Sequence, residues 1–292
     1  MKKRRFLKIF ILLLAVLAAL LYDSNSRIVV TEYTLSSPRL PESFDGFTVV
    51  QLSDIHGGLN GRGNARMVQL SAGAEPDMIA ITGDLADAYT DMAEVEAILT
   101  ELVKIAPVYY VSGNHEWAAG RVDKLQNLVG SGESGERRMD ELKEVLARCG
   151  VRYLSNSYEL IPSGEESIVL AGVEDPNGPF DMIKPDELVD IINIENEDAF
   201  TLLLGHRNYW VEKYPDLEVD IIMCGHAHGG IVRLPILGGV LGTGFELFPE
   251  HVDGAVESGR YTMIVSRGLG NSIPVPRFLN NPEIVVLKLE SE

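Results

Sequence analysis

Along this chain of 292 residues, short apolar runs alternate with segments that have the 3.6-residue periodicity of amphipathic helices. In the first half, strand-like runs lie at residues 48–52, 78–82 and 108–111, and helical patterns at 64–74 and 92–104 separate them. Alternation of this kind predicts βαβ units whose parallel strands are buried on both faces.

The second half of the chain is richer in strands. A chain that is α/β first and β-rich later predicts two sheets packed face to face, with helices on the outside. The glycine-rich segment 130–136 is predicted to form a surface loop. The predicted strands are 167–172, 200–204, 219–223, 261–266 and 284–289, and the predicted helices are 137–148, 185–192 and 208–213.

The N-terminus has the pattern of a membrane-targeting segment. Five positive charges lie within residues 2–8, and an unbroken run of 14 apolar residues follows at 9–22. Phe6 and Leu7, with the Lys8 side chain directed to the lipid head groups, extend the run to about 17 residues, the lower limit for a spanning helix. No good cleavage site follows. We therefore predict an uncleaved signal anchor at residues 1–26, with a domain at 27–292 outside the cytoplasmic membrane because the positive flank stays inside.

Two alternatives for this segment stay open. A cleaved signal peptide would leave the domain exported rather than anchored. Residues 3–8, Lys-Arg-Arg-Phe-Leu-Lys, also resemble a twin-arginine export signal in which lysine replaces the first arginine.

Charge restricts the partners of the domain. The net charge of the chain is −18, and residues 1–22 hold five positive charges and no acid, so residues 23–292 carry −23. A domain this acidic does not bind nucleic acid through a general attraction to phosphate. To handle a phosphate it needs a local positive centre, for which bound metal ions are the obvious source. The sequence contains two cysteines, Cys149 and Cys224, and nothing in it specifies a disulfide between them. We expect the protein to be a monomer.

Metal-binding residue types follow the predicted strands. Asp54, Asp84 and Asn114 come after three successive strands at a spacing of 30 residues, the length of one βαβ unit. Neighbouring parallel strands would present these side chains next to one another at their carboxyl ends, where ligand sites of open α/β sheets form.

Two later strand ends add histidines, so that five of the six histidines in the chain lie at strand ends. Loops at strand ends are where functional groups concentrate, and turn chemistry alone does not explain five ends that all carry metal-binding side chains. The residues at these ends are Asp54, His56, Asp84, Asn114, His115, His206, His226 and His228.

This donor set predicts a centre with two divalent metal ions. Carboxylates, an amide and imidazoles without a thiolate suit Mn, Fe or Zn, and the donors are too many for one tetrahedral zinc ion. Two ions that share a carboxylate would use them, and Asp84, on the middle strand, is the natural bridge. A pair of ions about 3.5–4 Å apart forms a clamp for in-line attack at phosphorus.

The motif Gly-His-Ala-His at 225–228 is predicted to be extended. In an extended chain, residues i and i+2 point to the same side, so His226 and His228 would both reach the cavity, one for each ion. Ala227 would point away, and the flanking glycines would allow a close approach of the backbone.

These motifs resemble those of the calcineurin-like metallophosphoesterases, and they occur in order across nearly the whole domain. The resemblance implies an α/β fold, a four-layer α/β/β/α sandwich of two mixed sheets. The matching motifs are Asp-x-His at 54–56, Gly-Asp at 83–84, Gly-Asn-His-Glu at 113–116, His206 and Gly-His-x-His at 225–228. A branch of membrane-associated bacterial phosphodiesterases is similar at 205–207, 225–235, 247–254, 266–270 and 282–284.

The resemblance also implies a role for each residue. His115 would face the substrate without binding metal, and Asp87, Glu116 and Arg207 would support the site from outside the ligand set. The alternative for Asp87 and Glu116 is that they are ordinary solvated or turn acids. The first ion would be held by Asp54, His56, Asp84 and His228, and the second by Asp84, Asn114, His206 and His226.

The hypothesis that follows is a metal-dependent phosphoester hydrolase. Two ions lower the pKa of a bridging water, the resulting hydroxide attacks phosphorus, and His115 stabilises the phosphoryl group or protonates the leaving oxygen. A phosphodiesterase is the main interpretation. A phosphomonoesterase of the same fold and a non-catalytic, metal-stabilised scaffold are the alternatives.

The segment after the last histidine of the motif bears on the substrate. The apolar segment 234–249 follows the last histidine and, as one hypothesis, forms an apolar wall beside the ions that admits a phospholipid or another lipid-linked phosphoester. The alternative is an ordinary hairpin with one buried face.

Overall fold

Two six-stranded sheets form the centre of the computed structural model among the residues it describes, 2–59, 63–87, 89–118, 132–176, 183–271 and 273–292. The first sheet contains, in order across it, β1 (Val29–Ser37), β14 (Glu283–Ser291), β2 (Thr48–Leu52), β3 (Met78–Thr82), β4 (Val108–Val111) and β5 (Arg152–Tyr153). The second contains β12 (Gly254–Glu257), β13 (Thr262–Val265), β9 (Ile221–Cys224), β8 (Thr201–Leu204), β7 (Glu166–Gly172) and β6 (Ser157–Ser163).

Helices cover the outer face of each sheet, and a small hairpin stands apart. The hairpin pairs β10 (Val232–Leu234) with β11 (Gly238–Leu241). The helices are α1 (Lys2–Ser26), α2 (Gly63–Gly73), α3 (Met92–Leu102), α4 (Asn114–Ala118), α5 (Gly132–Cys149), α6 (Pro185–Glu195) and α7 (Trp210–Lys213), with a 3-10 turn at Glu42–Phe44.

Alternation along the strands builds the layers. Val49 of β2 faces the second sheet in a core shared with Leu202 and Met223, whereas its neighbour Val50 faces α3 and α5 on the other side. Side chains of α6 and α7 pack in a third cluster on the outer face of the second sheet, around Trp210. The predicted two-sheet α/β/β/α arrangement is confirmed.

Both sheets are mixed, and the parallel strands of each end at the edge where the predicted metal-binding residues lie. We call this the functional edge. In the first sheet β2, β3, β4 and β5 are parallel; in the second, β7, β8, β9 and β13 are parallel. Parallel neighbours bring their carboxyl ends to one edge, so the loops that follow them lie together.

The predicted strands 48–52, 78–82 and 108–111 coincide with β2, β3 and β4. The predicted loop 130–136 is wrong from Gly132 onwards, because α5 begins there; residues 130 and 131 lie outside the described residues. Glycine and serine disfavour a helix only weakly, by about 1 kcal/mol or less each. Burial of Met139 and Leu142 against the first sheet outweighs that preference.

Several strands were not predicted, and β1 and β6 show why. In β1 intermediate and exposed positions alternate along the whole strand, and β6 is a similar edge strand. Edge strands lack the continuous apolar run that identifies a strand buried on both faces.

The helix α1 leaves the domain at the functional edge. β1 is parallel to β14, and β14 is antiparallel to β2, so the start of β1 lies at the carboxyl end of β2. The span Lys3–Ser26 has a mean hydropathy of 2.3 in its most apolar window, and none of that window is buried. By length and composition α1 can cross a membrane.

Hydrogen bonds fix the last turn of α1 to the domain. The amide of Asn25 donates to the carbonyl of Arg277 at 2.8 Å, and its oxygen accepts the N–H of Arg277 at 3.0 Å. The hydroxyl of Ser24 accepts the N–H of Leu279 at 2.9 Å. These hydrogen bonds attach the last turn of α1 to segment 277–281.

Candidate metal centre

Two turns at the carboxyl ends of β2 and β3 hold the first side chains of the site. Asp54, His56 and Asp84 have left-handed backbone, with φ of 52°, 51° and 51°. This conformation costs a non-glycine residue about 1 kcal/mol or more, and hydrogen bonds between the turns offset it. The N–H of Asp54 donates to Gly83 at 3.1 Å, and that of His56 donates to the carbonyl of Asp84 at 2.9 Å.

The next strand end approaches Asp84 closely. Asn114 and His115 begin α4, and the N–H of His115 donates to Oδ1 of Asp84 at 2.8 Å. A β-carbon at Gly113 would lie 2.2 Å from the same oxygen, so only glycine fits at that position. The Gly-Asn-His motif thereby places an amide and an imidazole beside the Asp84 carboxylate.

Glu116 is buried and holds the turns after β3 and β4 together. Its carboxylate accepts the N–H groups of Asp84 at 3.1 Å, Ala86 at 3.0 Å and Gly113 at 2.8 Å. Burial, and then the charge of Asp84, raise the pKa of this carboxyl to about 7, while hydrogen bonds from Ala86 and Gly113 lower it. Glu116 therefore stabilises the two turns through these hydrogen bonds.

Replacing Glu116 by alanine should destabilise the fold by about 3 kcal/mol or more, because three buried N–H groups lose their acceptor. Urea unfolding of the full chain in detergent would measure the change. Glu116→Gln keeps one carbonyl acceptor and should be less damaging, and Asp87→Ala, which removes a half-buried carboxylate with two hydrogen bonds, serves as a control. An alanine variant as stable as the glutamine variant would contradict this bracing role.

His206 comes from the second sheet and enters between the turns of the first. Its Nδ1 lies 2.8 Å from the carbonyl of Thr82, which can only accept, so Nδ1 carries the proton. Nε2 is then directed to Oδ2 of Asp84 at 3.3 Å and to Oδ1 of Asn114 at 3.2 Å. This is the tautomer that a ligand bound through Nε2 requires.

The two histidines of the Gly-His-Ala-His motif reach the site by a different route from the predicted extended chain. The backbone is left-handed at His226 and His228, with φ of 70° and 49°, and the N–H of Ala227 donates to the carbonyl of Gly225 at 2.8 Å. A tight turn, not strand alternation, therefore presents both rings. At Gly225 a β-carbon would lie 2.3 Å from Oδ2 of Asp54, which explains the glycine.

The side chains form two overlapping groups. In each group the ligand atoms all lie within 4.8 Å of one another. His228 Nε2 lies 3.2 Å from Asp54 Oδ1 and 3.4 Å from His56 Nε2. Asp84 belongs to both groups, as a bridging carboxylate would. The groups are Asp54, His56, Asp84 and His228, and Asp84, His206 and His226.

The buried carboxylates of the site require a balancing positive charge. Although burial opposes their ionisation, the facing histidines hold the pKa values of Asp54 and Asp84 below their usual range. Burial likewise opposes protonation of His206, yet Asp84 raises its pKa to about 10. Burial lowers the pKa of His56 to about 3. The two ionised carboxylates thus favour positive charge beside them, which a protonated His206 or a bound cation supplies.

These features fit divalent metal ions. The ring nitrogens Nε2 of His56 and His228 face each other at 3.4 Å, and Nδ1 of His56 is buried without a hydrogen-bond partner. Cations between the carboxylates and imidazoles would bind the ring nitrogens that face the site and balance the buried negative charge. Imidazole, carboxylate and amide donors suit Mn, Fe or Zn.

Arg207 lies beside the second group. Its Nε and Nη2 donate to Asp175, the latter at 2.9 Å, and Nη1 lies 2.9 Å from Nε2 of His226. Asp175 was missed in the sequence, although it follows the carboxyl end of β7, at the same edge as the other strand ends. All three guanidinium nitrogens are engaged.

Asp87 lies in a turn of its own. Its carboxylate accepts the N–H of Tyr89 at 2.8 Å and the hydroxyl of Thr90 at 3.0 Å. These bonds shape the approach to α3, whose start is the nearby Asp91 cap.

Arg277 was also missed in the sequence. It is fully buried, and its guanidinium donates to the carbonyl of Gly270 at 2.6 Å and approaches Nδ1 and the carbonyl of His228 at 3.2 Å and 3.4 Å. No strand end or motif identifies it, because its place depends on the path of the loop after β13. Through Arg277, the segment that holds α1 also supports a histidine of the site.

A cavity of about 1100 Å³ opens beside His56 and extends to the last turn of α1. Its lining combines apolar side chains with Arg66 and Arg277. No residue of segment 234–249 is part of this lining. The predicted apolar wall is therefore absent from this cavity, and other residues supply its apolar surface, among them Ile28, Leu59, Leu269, Pro274, Pro276 and Pro282.

The sequence matches the family described as Calcineurin-like phosphoesterase over residues 47–230, more than half of the chain. The chain belongs to this family. The predicted family is confirmed, and the chain is a metallophosphoesterase. Members of the family use two metal ions, in agreement with the two donor groups that share Asp84.

Individual relatives agree with the bacterial branch expected from the sequence. The chain is 26% identical to the metallophosphoesterase YkuE of Bacillus subtilis over 276 residues, covering 92% of this chain and 88% of that protein. It is 25% identical to the phosphodiesterase YaeI of Escherichia coli over 224 residues, covering 76% and 73%. It is also 26% identical to a zebrafish transmembrane protein with a metallophosphoesterase domain, covering 69% and 44%.

Proposed function

We propose that this protein is a dinuclear metal-dependent phosphodiesterase, with residues 1–26 as a membrane anchor and 27–292 as a catalytic domain outside the cytoplasmic membrane. The observation that carries the proposal is the pair of donor groups that share the buried carboxylate of Asp84. Asn114, whose Oδ1 lies 3.2 Å from Nε2 of His206, completes the second group.

The side chains of the site would have separate roles in hydrolysis. When bound, two divalent ions supply Lewis acidity and an activated water at neutral pH. Asp84 fixes the spacing of the two groups. His115 is one-third exposed, and its Nε2 lies 3.9 Å from Oδ2 of Asp84. It is therefore placed to hold a proton near the leaving oxygen or to stabilise the phosphoryl group.

A diester substrate is favoured over a monoester by the surroundings of Arg207. A site for monoesters has to grip the extra charge of a terminal phosphate, and a free guanidinium is well suited to this. Arg207 is committed to Asp175 and His226. The similarity to YaeI, which is named a phosphodiesterase, supports the same choice.

An amphiphilic substrate, such as a phospholipid or a lipid-linked phosphoester, is supported by the cavity beside His56. The cavity connects that ligand position with Tyr22, Asn25 and Ser26 of α1. The exposed side chain of Arg66 suits a phosphate head group, and the apolar side chains of the lining suit hydrocarbon. The position of α1 at this edge would hold the cavity near the lipid surface.

The test is metal content and turnover of the full chain in detergent micelles. Mass spectrometry should find about two Mn, Fe or Zn ions per chain, the number that two donor groups predict. Bis(p-nitrophenyl) phosphate should be cleaved faster than p-nitrophenyl phosphate, and a chelator should abolish both activities. Faster cleavage of the monoester would establish the phosphomonoesterase alternative. Bound metal without turnover of either compound would favour the scaffold.

A further inference from the structure

The hairpin of β10 and β11 and the turn after it, residues 232–248, expose an unusual number of large apolar side chains. We refer to this segment as the apolar hairpin. Ile236 is fully exposed, and Leu247 is 71% exposed. Large apolar side chains exposed together on a soluble surface mark contact sites for a protein or a membrane. The exposed apolar side chains are Leu234, Ile236, Leu237, Phe245, Leu247 and Phe248.

Three of these side chains also occupy strained turn positions. Ile236, Phe245 and Phe248 have φ of 75°, 62° and 54°. Turns of this kind normally use glycine, asparagine or aspartate, and a β-branched residue such as isoleucine is a clear exception. The side chains are therefore both exposed and held in an unfavourable backbone conformation. Neither property contributes to the packing of the domain, which points to contact with something outside it.

The apolar hairpin is joined to the last turn of α1 through a single segment of chain. The N–H of Arg233 donates to the carbonyl of Phe278 at 3.0 Å, and the N–H of Phe278 donates to Ile231 at 3.1 Å. The next residue, Leu279, donates to Ser24 of α1 at 2.9 Å. Hydrogen-bonded backbones lie about 5 Å apart. One such spacing separates the hairpin from Phe278 and a second separates that segment from α1, so the base of the hairpin lies roughly 10 Å from α1. Both elements lie at the edge where the parallel strands end.

Charge limits what this surface can bind. Residues 23–292 carry a net charge of −23, which repels anionic lipid head groups. The apolar hairpin contains two charged residues, Arg233 and Glu246, and Arg233 is paired with Asp253 at 2.9 Å. Contact with a bilayer would therefore depend on apolar side chains, as in interfacial segments that insert Phe and Leu at the boundary of the acyl chains.

We propose that the apolar hairpin inserts its tip into the outer surface of the same bilayer that α1 crosses. The proposal rests on the membrane attachment proposed above. The bilayer is favoured as the partner because the hairpin and α1 are attached to the same segment, 277–281. The two contacts would fix the tilt of the domain, with the cavity beside His56 at the lipid surface.

Tryptophan quenching in vesicles tests this docking. Full-length Phe245→Trp and Phe248→Trp variants are reconstituted into phosphatidylethanolamine–phosphatidylglycerol vesicles with and without brominated acyl chains. The matched control is Ile194→Trp, because Ile194 is an exposed apolar residue on α6, near the amino-terminal ends of the second sheet's strands. The fluorescence added by the indole at 245 or 248, relative to wild type, should fall at least twofold with brominated lipid. The indole at 194 should not change.

The outcomes separate this proposal from the proposed function. Vesicle flotation of the wild-type chain is measured first, and a chain that does not float would overturn the membrane attachment itself. A chain that floats while the indoles at 245 and 248 are quenched no more than that at 194 would overturn only the docking of the hairpin. Emission that depends on the protein-to-lipid ratio but not on bromine would instead identify a second copy of the chain as the partner.

Enzymatic assays give an independent readout. A triple variant, Ile236→Ser, Leu237→Ser and Phe248→Ser, should cleave a phosphodiester embedded in vesicles about tenfold more slowly than wild type. Its rate on soluble bis(p-nitrophenyl) phosphate should not change, because the cavity beside His56 has no lining residue from the hairpin. Equal rates of the variant and the wild type on the embedded substrate would count against the proposal, and inactivity on both substrates would point to misfolding, leaving the quenching measurements to decide.

Discussion

Replacing Asp84 by asparagine should remove the bound metal ions and reduce kcat/KM for a diester by about 1000-fold or more, since the bridged metal pair provides several kcal/mol of transition-state stabilisation. Asp84 is the only residue common to both donor groups among the described residues. Asparagine has the same shape, so Oδ1 can still accept the N–H of His115, and the turn after β3 should persist. What is lost is the negative charge and the second oxygen that faces His206 at 3.3 Å.

A matched control is available in the same turn region. Asp87→Asn changes an equivalent carboxylate that accepts the N–H of Tyr89, so it should retain both metal ions and nearly full activity. Metal content by mass spectrometry, kcat/KM on bis(p-nitrophenyl) phosphate and thermal unfolding are measured for both variants. An Asp84→Asn protein that still binds two ions per chain would rule out the bridging role.

Replacing His115 by alanine should reduce kcat by about 100- to 10,000-fold, the usual contribution of a general acid or base, with little change in metal content. His115 is outside both donor groups. Its N–H, which donates to Oδ1 of Asp84 at 2.8 Å, remains in alanine, so the ligand geometry should be preserved. The prediction therefore separates proton transfer from metal binding at neighbouring positions.

The control for this variant is His251→Ala. His251 lies outside the site, with Nε2 3.6 Å from Glu212, and its removal should leave kcat unchanged. A diester with a more acidic leaving group should lose less activity in His115→Ala, because such a group leaves without protonation. Loss of both metal ions from His115→Ala would show that the residue is a ligand rather than an acid.

The sequence predicts the central strands and the site residues for the same physical reason. Strands buried on both faces appear as continuous apolar runs, and β2, β3 and β4 have this form. Their ends are then visible as abrupt changes to polar residues, which is where Asp54, Asp84 and Asn114 were found. Side chains at the ends of adjacent parallel strands converge once the sheet forms.

Other parts of the site depend on contacts that sequence patterns do not encode. The left-handed turn at His226 and His228 replaces the predicted extended segment, and the backbone N–H of His226 donates to the carboxylate of Asp54, 172 positions earlier. The roles of Asp175 and Arg277 become apparent only from their contacts in the fold, with Arg207 and with the His228 loop. Tertiary contacts, rather than local periodicity, place all of these groups.

Only two residues, Arg27 and Ile28, separate α1 from the first strand of the domain. An extended peptide spans about 3.5 Å per residue, so this connection adds roughly 7 Å of reach. With α1 in a bilayer, the catalytic domain cannot sample the volume of its compartment as an enzyme on a long tether would. A phosphoester embedded in the same bilayer would be met within a thin layer over the lipid, so its turnover should follow its surface density rather than its bulk concentration.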